Sequence, residues 1–212
     1  MKTFEEYIKE SINFRLGGSG GRGIQRYNYF PKDKSELVDL MKKLRKERGE
    51  NGDFNDIDTS KVTDMRRMFL GASSFNGDIS MWNTSNVTVM NEMFYYATKF
   101  NKDISEWDVS KATSMSYMFC GASSFDQDIS RWDVSNVRGF GSMFEYALVF
   151  NQDISSWDVS KAYDMSYMFH DARLFFQDLT AWGEKIAPGV DTKDMFSESL
   201  MMKKKKVPKW AR

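Results

Sequence analysis

The chain has 212 residues, and its 30 Lys plus Arg balance 30 Asp plus Glu, so the formal net charge at pH 7 is zero. This balance argues against a strongly basic nucleic-acid binder, and an aromatic content of 15% argues against disorder because it can fill a core. One cysteine, Cys120, and one histidine, His170, exclude an internal disulfide and leave too few ligands for a Cys/His zinc site.

Residues 1–23 predict a short amphipathic helix followed by a Gly-rich flexible arm. Gly18, Gly20 and Gly23 formally match a dinucleotide-binding motif, but that motif needs a preceding strand and a following helix, so we interpret them as linker. The segment has no apolar core of the length that a secretory signal needs, so export by the general route is not predicted. The sequence contains no run of about 18 apolar residues, so no membrane span is predicted.

Residues 24–51 predict an N-terminal capping segment. Four apolar residues between Leu37 and Leu44 follow the i, i+3, i+4, i+7 spacing of an amphipathic helix, which we place at 33–48. Asp33 suits its N-cap. We expect this helix to cover the apolar end of the structure that follows.

That structure is a 25-residue repeat. It spans 52–182 as five coils, followed by an irregular capping coil at 183–202 and a basic tail at 203–212, which we interpret mainly as solvated. Phenylalanine, methionine and alanine recur in the same register, and we expect these columns to form the core. The tryptophans of the lattice are Trp82, Trp107, Trp132, Trp157 and Trp182.

Within one unit, the pattern I-x-x-W-x-V-x-x-A begins at Ile104 and predicts a short strand with Trp107 and Val109 inward and Asp108 outward. The three- and four-residue apolar steps after it, up to Ala122, predict a short helix or 3₁₀ turn. The predicted fold class is therefore an α/β repeat solenoid of leucine-rich-repeat-like right-handed coils. Each 25-residue repeat would carry one short parallel strand plus that helix or turn.

The unit F-N-x-D-I-S-x-W-D-V-S, clearest at 100–125 and 150–175, resembles the repeat of the BspA-like surface proteins, relatives of leucine-rich-repeat proteins. The resemblance implies a parallel-stranded solenoid on a cell surface, active in adhesion and protein–protein contact. It implies no enzyme activity and no cofactor. The lack of an export signal instead favours a cytoplasmic location or a place in a particle, so we leave the location open.

A column of recurring acids raises the question of what offsets their repulsion. Asp108, Asp133 and Asp158 would lie ~4.8 Å apart in successive coils, and neighbouring like charges in water repel by roughly 1 kcal/mol. Hydrogen bonds from the adjacent serines are the favoured explanation. A divalent cation such as calcium and a basic partner are the alternatives, and no metal site is predicted.

Positions that vary between coils are the candidates for recognition. The favoured ligand-binding residues lie on the predicted strand face: Met81, Asn83, Glu106, Asp108, Arg131, Asp133, Ser156 and Asp158. A second set lies on the predicted helical side: Tyr95, Tyr96, Lys99, Glu145, Tyr146 and Arg173. No catalytic residue is predicted, because His170 and Cys120 share a variable position without a surrounding motif.

The sequence therefore predicts a non-catalytic module that binds a protein or glycan. No small-molecule substrate, cofactor or specific nucleic acid is predicted. The alternative is a structural component of a phage particle or another assembly, tethered through the N-terminal arm.

Overall fold

The structure is a computed structural model that describes residues 27–211. Its helical elements, in chain order, are α1 (Lys34–Arg48), the 3₁₀ helix η1 (Thr180–Glu184), the single-turn α2 (Leu200–Lys203) and the 3₁₀ helix η2 (Lys209–Ala211). From 50 to 179 the described backbone consists of turns, extended segments and isolated parallel bridges. The predicted helix and arm at 1–23 lie outside the described residues.

Helix α1 has a clear start and stop. The Asp33 carboxylate accepts a hydrogen bond from the Glu36 amide at 3.0 Å, which satisfies one of the free N–H groups of the first turn. Gly49 ends the helix with φ +77°, a left-handed conformation that glycine adopts without steric cost. The helix buries Leu37 and Leu44 in the common core, so it covers the end of the repeat at its N-terminal side.

The repeat forms stacked coils that follow the 25-residue register of the sequence. Equivalent residues of neighbouring coils form parallel bridges, and the column of bridges includes Asp64, Val89, Ser114, Gly139, Asp164 and Asp191. Around each bridge, alternate amides donate to the next coil: Met115 to Gly139 at 3.0 Å and Phe119 to Met143 at 2.9 Å, for example. We call this part of each coil, 114–121 in the third, the ladder side.

The predicted strand is absent, and the α/β assignment is wrong. Between Ile104 and Ala112 the described backbone makes only local turn bonds, from Trp107 to Ile104 at 3.1 Å and from Ala112 to Val109 at 2.8 Å. Side chains join this segment to its neighbours instead, since the Trp107 indole Nε1 donates to the Ile79 carbonyl at 3.2 Å. We call this part, 104–112 in the third coil, the tryptophan side. The predicted side-chain directions hold, because Trp107 is buried and Asp108 is exposed.

The predicted helix or 3₁₀ turn of each repeat is also wrong. The segment from Ala112 to Ala122 consists of consecutive turns, in which Met118 donates to Met115 at 3.0 Å and Ala122 to Phe119 at 3.0 Å. Tyr117 and Gly121 have φ +60° and +70°, which no right-handed helix accommodates. Every second amide donates to a carbonyl of its own turn, so the isolated bridges do not extend into a sheet. The apolar spacing of three and four residues therefore reflects turns.

The prediction that the aromatic columns form the core is confirmed. Phe119 stacks on Phe125 of its own coil at 4.0 Å between ring centroids and on Phe94 of the preceding coil at 5.5 Å. Phe94 comes from the ladder side and meets Trp107, from the tryptophan side, at 6.1 Å. One core therefore fills the space between the two sides of the coils.

The C-terminal end continues the same columns with a different spacing in the chain. Asp191 bridges to Asp164 across 27 residues, and Phe196 stacks on Phe169 at 5.4 Å. Trp210 then packs against Trp182 at 6.3 Å, and its Nε1 donates to the Leu179 carbonyl at 3.2 Å. The segment predicted as a basic tail thus has exposed lysines at 203–206 and an indole that packs on the last coil.

Candidate functional site

The structure places the eight predicted ligand-binding residues on one surface, the outer surface of the tryptophan side. Glu106 and Asp108 face solvent on either side of the buried Trp107, and the other coils repeat this arrangement. Seven of the eight are exposed and Asn83 is partly buried. We call this surface the aspartate face: Met81, Asn83, Glu106, Asp108, Arg131, Asp133, Ser156 and Asp158.

The aspartates of this face are already engaged in the turns of their own coils. Asp108 accepts hydrogen bonds from the Ser110 amide at 3.0 Å and from its hydroxyl at 2.6 Å. Hydrogen bonds from Ser135 lower the pKa of Asp133, and they outweigh the charge of Asp158, which raises it. Within residues 27–211, no three acidic, histidine or cysteine side chains are grouped so that they could hold a metal ion. Serine hydrogen bonds therefore offset the repulsion along the column.

The ladder side carries a different kind of surface. Three tyrosines of this side are well exposed: Tyr96, Tyr117 and Tyr146, at 44%, 43% and 37%. Tyr95 lies between them, with its ring centroid 4.8 Å from that of Tyr96 and 6.2 Å from that of Tyr117. Glu145 is partly buried among them. We call this group the tyrosine patch: Tyr95, Tyr96, Tyr117, Glu145 and Tyr146.

Backbone conformation sets the direction of these rings. Tyr96, Tyr117 and Tyr146 have φ values of +53°, +60° and +56°, in the left-handed region that costs a residue with a side chain about 1–3 kcal/mol. Tyr96 and Tyr146 occupy the same column as Gly71 and Gly121, which adopt this conformation without that cost. The same conformation recurs at both positions in every coil, so it belongs to the turns of the fold, and in the patch three of these positions hold tyrosine.

Gly121 makes room for the patch. A Cβ atom at Gly121 would lie 2.9 Å from the ring of Tyr96, so the missing side chain lets this ring lie over the backbone of the next coil. Beneath it, the Cys120 thiol is 3.9 Å from the Glu145 carboxylate. Burial, together with the charge of Glu145, raises the pKa of Cys120 to about 12. The thiolate is therefore scarce at neutral pH, and this cysteine is not an activated nucleophile.

His170 lies beside the patch and packs edge-on against aromatic rings. Its ring centroid is 5.5 Å from that of Tyr146 and 5.8 Å from that of Tyr167. No hydrogen-bond partner for its buried Nδ1 is found in the part of the chain that the structure describes. These contacts extend the aromatic surface toward the C-terminal end.

Sequence reasoning included Tyr95, Tyr96, Glu145 and Tyr146 in its second set and favoured the other face. It missed Tyr117, which falls in a column with no glycine to reveal a left-handed conformation. A signal for Tyr96 and Tyr146 was present, because their column holds glycine in two other coils.

A family model described as "Mycoplasma protein of unknown function, DUF285" matches the chain twice, at residues 36–138 and 103–210. The chain belongs to the DUF285 family. The two matches together run from α1 to η2, so they include both ends of the repeat as well as its regular coils. No curated protein and no solved structure matches the chain.

For this DUF285 chain the resemblance to BspA-like repeats stays a prediction. Among residues 27–211, no helix is both long enough and apolar enough to span a bilayer.

Proposed function

We propose that this DUF285 protein is a non-catalytic interaction module that binds a protein partner through the tyrosine patch. One observation carries the proposal: Tyr96, Tyr117 and Tyr146 are each more than a third exposed on one surface, beside the partly buried carboxylate of Glu145. Exposed aromatic groups of this kind are typical of binding surfaces.

The composition of the two surfaces favours the patch over the aspartate face. Tyrosine is enriched at the centres of protein interfaces, whereas aspartate is depleted there. Met81 is the large apolar side chain that the aspartate face exposes, at 36%. The carboxylate of Asp108, in addition, already accepts two hydrogen bonds from its own turn. We therefore assign recognition to the patch.

The fold supports binding because the patch is held in place before a partner arrives. Backbone hydrogen bonds join its coils, such as Tyr96 to Cys120 at 2.8 Å and Gly121 to Glu145 at 2.7 Å. Tyrosine offers a large contact area and few rotatable bonds, so little conformational entropy is lost on binding. A preorganised aromatic surface binds more tightly than a flexible one of equal area.

The test is differential capture from a lysate of the cells that make the protein. The baits are the wild-type chain, the patch variant Tyr96→Ser/Tyr117→Ser/Tyr146→Ser, and the matched variant Met81→Ala/Glu106→Ala/Arg131→Ala on the aspartate face. We expect a protein that the wild type and the aspartate-face variant retain equally and that the patch variant loses at least tenfold. Circular dichroism checks that each bait is folded.

Equal retention by the patch variant contradicts the proposal, and loss in the aspartate-face variant moves the site to that face. A glycan partner is a further contrary outcome. It is recognised when periodate oxidation of the lysate's glycans abolishes capture. The alternative of a tethered assembly component rests on residues 1–23, outside the described residues, and stays a prediction.

A further inference from the structure

The carboxylate of Glu145 lies inside the tyrosine patch, and within residues 27–211 it has no cationic partner. In the described part of the chain, its hydrogen-bond partner is the Cys120 thiol at 3.9 Å, a weak donor, and no Lys or Arg forms an ion pair with it. Glu92, two coils away, is paired with Arg67 at 2.8 Å. Glu145 is therefore a partly buried anion that a ligand can neutralise.

The rings around this carboxylate share its negative environment. Burial raises the pKa of Tyr96, and repulsion from neighbouring acidic groups, Glu145 among them, raises it further. The pKa of Tyr95 is raised in the same way, with Glu145 and Glu92 contributing. At neutral pH these phenols stay protonated, so the patch presents neutral aromatic faces beside an anion. Such faces attract a cation through the ring quadrupole.

The protein already uses this combination at its N-terminal end. The Arg45 guanidinium lies 5.3 Å from the ring centroid of Phe75, and it pairs with Glu50 at 2.7 Å. Arg48 lies 5.5 Å from the ring centroid of Tyr29 and pairs with Asp56 at 2.7 Å. In both cases one arginine contacts an aromatic face and a carboxylate. The tyrosine patch supplies the aromatic face and the carboxylate, and no arginine within residues 27–211 forms an ion pair with that carboxylate.

We infer that the tyrosine patch receives an arginine side chain of the partner, with the guanidinium on the carboxylate of Glu145 and against the ring of Tyr96 or Tyr146. Arginine fits better than lysine because its planar group pairs with a carboxylate through two N–H groups and stacks on a ring. This inference rests on the proposed function, since it names the group that the same patch recognises.

The test uses small probes on the full chain with 13C-labelled tyrosine rings. N-acetyl-argininamide is titrated while the ring signals are recorded by NMR, with N-acetyl-citrullinamide as the uncharged control of nearly equal shape. We expect saturable shifts of the Tyr96 and Tyr146 signals with argininamide and at least tenfold weaker binding of citrullinamide. Glu145→Gln should weaken argininamide binding at least tenfold, whereas Glu106→Gln on the aspartate face should not change it.

The inference is overturned if the two probes bind equally or if neither binds. It is also overturned if Glu145→Gln leaves argininamide binding unchanged. The capture experiment separates this failure from that of the proposed function. If the tyrosine variant loses the partner and Glu145→Gln retains it, the patch is the site and arginine is not its ligand. If both variants retain the partner, the proposed function fails as well.

Discussion

The two sides of each coil are joined to their neighbours by different chemistry, and this difference determines which residues can vary. On the ladder side, main-chain groups make the bonds, as from Tyr117 to Gly141 at 2.9 Å. On the tryptophan side, side chains make them, as from Trp132 Nε1 to the Ile104 carbonyl at 3.1 Å. Main-chain bonds form with almost any residue, whereas side-chain bonds require the residue that makes them.

The sequence of the repeat reflects this division. The tryptophan side repeats D-I-S-x-W-D-V-S with few changes in three coils, because Asp, Ser and Trp all make structural bonds there. One column of the ladder side holds Leu70, Tyr95, Cys120, Glu145 and His170 in successive coils. The side with the weaker sequence pattern is therefore free to carry a binding surface, and the tyrosine patch lies on it.

The largest expected effect is at Gly121, a position on the ladder side that cannot vary freely. Gly71→Ala and Gly121→Ala both place a side chain in a left-handed conformation, at a cost of about 1–2 kcal/mol. Only at Gly121 does the new Cβ meet a ring, that of Tyr96 at 2.9 Å, whereas nothing lies within 4 Å at Gly71. We expect Gly121→Ala to lower the free energy of unfolding by about 1–3 kcal/mol more than Gly71→Ala, because of overpacking.

Urea denaturation of the two variants measures this difference. The double variant Gly121→Ala/Tyr96→Ser removes the ring and should recover most of the additional loss. Equal destabilisation by the two glycine substitutions would show that the ring does not constrain this position.

A second experiment tests the tryptophan side. Trp107→Phe removes the Nε1 donor and leaves the buried Ile79 carbonyl without that hydrogen bond. Trp182→Phe is the matched control, because the described residues offer no partner to its buried Nε1. The Ile79 carbonyl still accepts from the Trp82 amide at 3.1 Å, so the loss is that of one hydrogen bond. Trp107→Phe should therefore lose about 0.5–1.5 kcal/mol more stability in urea than Trp182→Phe. Similar losses would mean that indole hydrogen bonds do not hold the tryptophan side together.

The smallest expected effect is on the stability of the fold at acidic pH. Hydrogen bonds from Ser135 lower the pKa of Asp133, and those from Ser160 lower the pKa of Asp158. A carboxyl group whose pKa is lower in the folded than in the unfolded state stabilises the fold. This stabilisation is complete above about pH 5 and is lost as the pH falls through about 4 and below. Asp133→Asn/Asp158→Asn keeps an oxygen acceptor for each serine and does not titrate in this range.

Melting temperatures between pH 7 and pH 3 give the comparison. The double variant should lose less stability on acidification than the wild type, by a small margin because both carboxylates are largely exposed. If the wild type and the double variant lose the same stability on acidification, these turn hydrogen bonds do not depend on charge.

The sequence was sufficient to predict what is buried but not how the backbone is bonded. The spacing of Trp107 and Val109 predicted their burial correctly, and it also suggested a strand, because a period of two has more than one structural cause. A coil can be joined to its neighbour by backbone hydrogen bonds or by side-chain hydrogen bonds. Which of the two forms depends on the contacts between coils in the assembled stack. Asp108 shows the competition, since it caps its own turn at Ser110.

The candidate site was predictable only in part. Variation between coils identified Tyr96 and Tyr146 as surface residues, but it favoured Met81 and Arg131 on the other face. The ring-sized gap above Gly121 depends on the neighbouring coil, which supplies Tyr96, and no single unit encodes it.

The bridge from Asp164 to Asp191 spans 27 residues, yet the rings of Phe169 and Phe196 still stack at 5.4 Å. A coil is thus defined by its docking points, and the number of residues between them can change. This chain accordingly accommodates a longer connection between two coils without disturbing the stack. Its coils are better counted by their Met-Phe pairs than by a fixed period, and the connection between the last two pairs is a natural place to insert a loop.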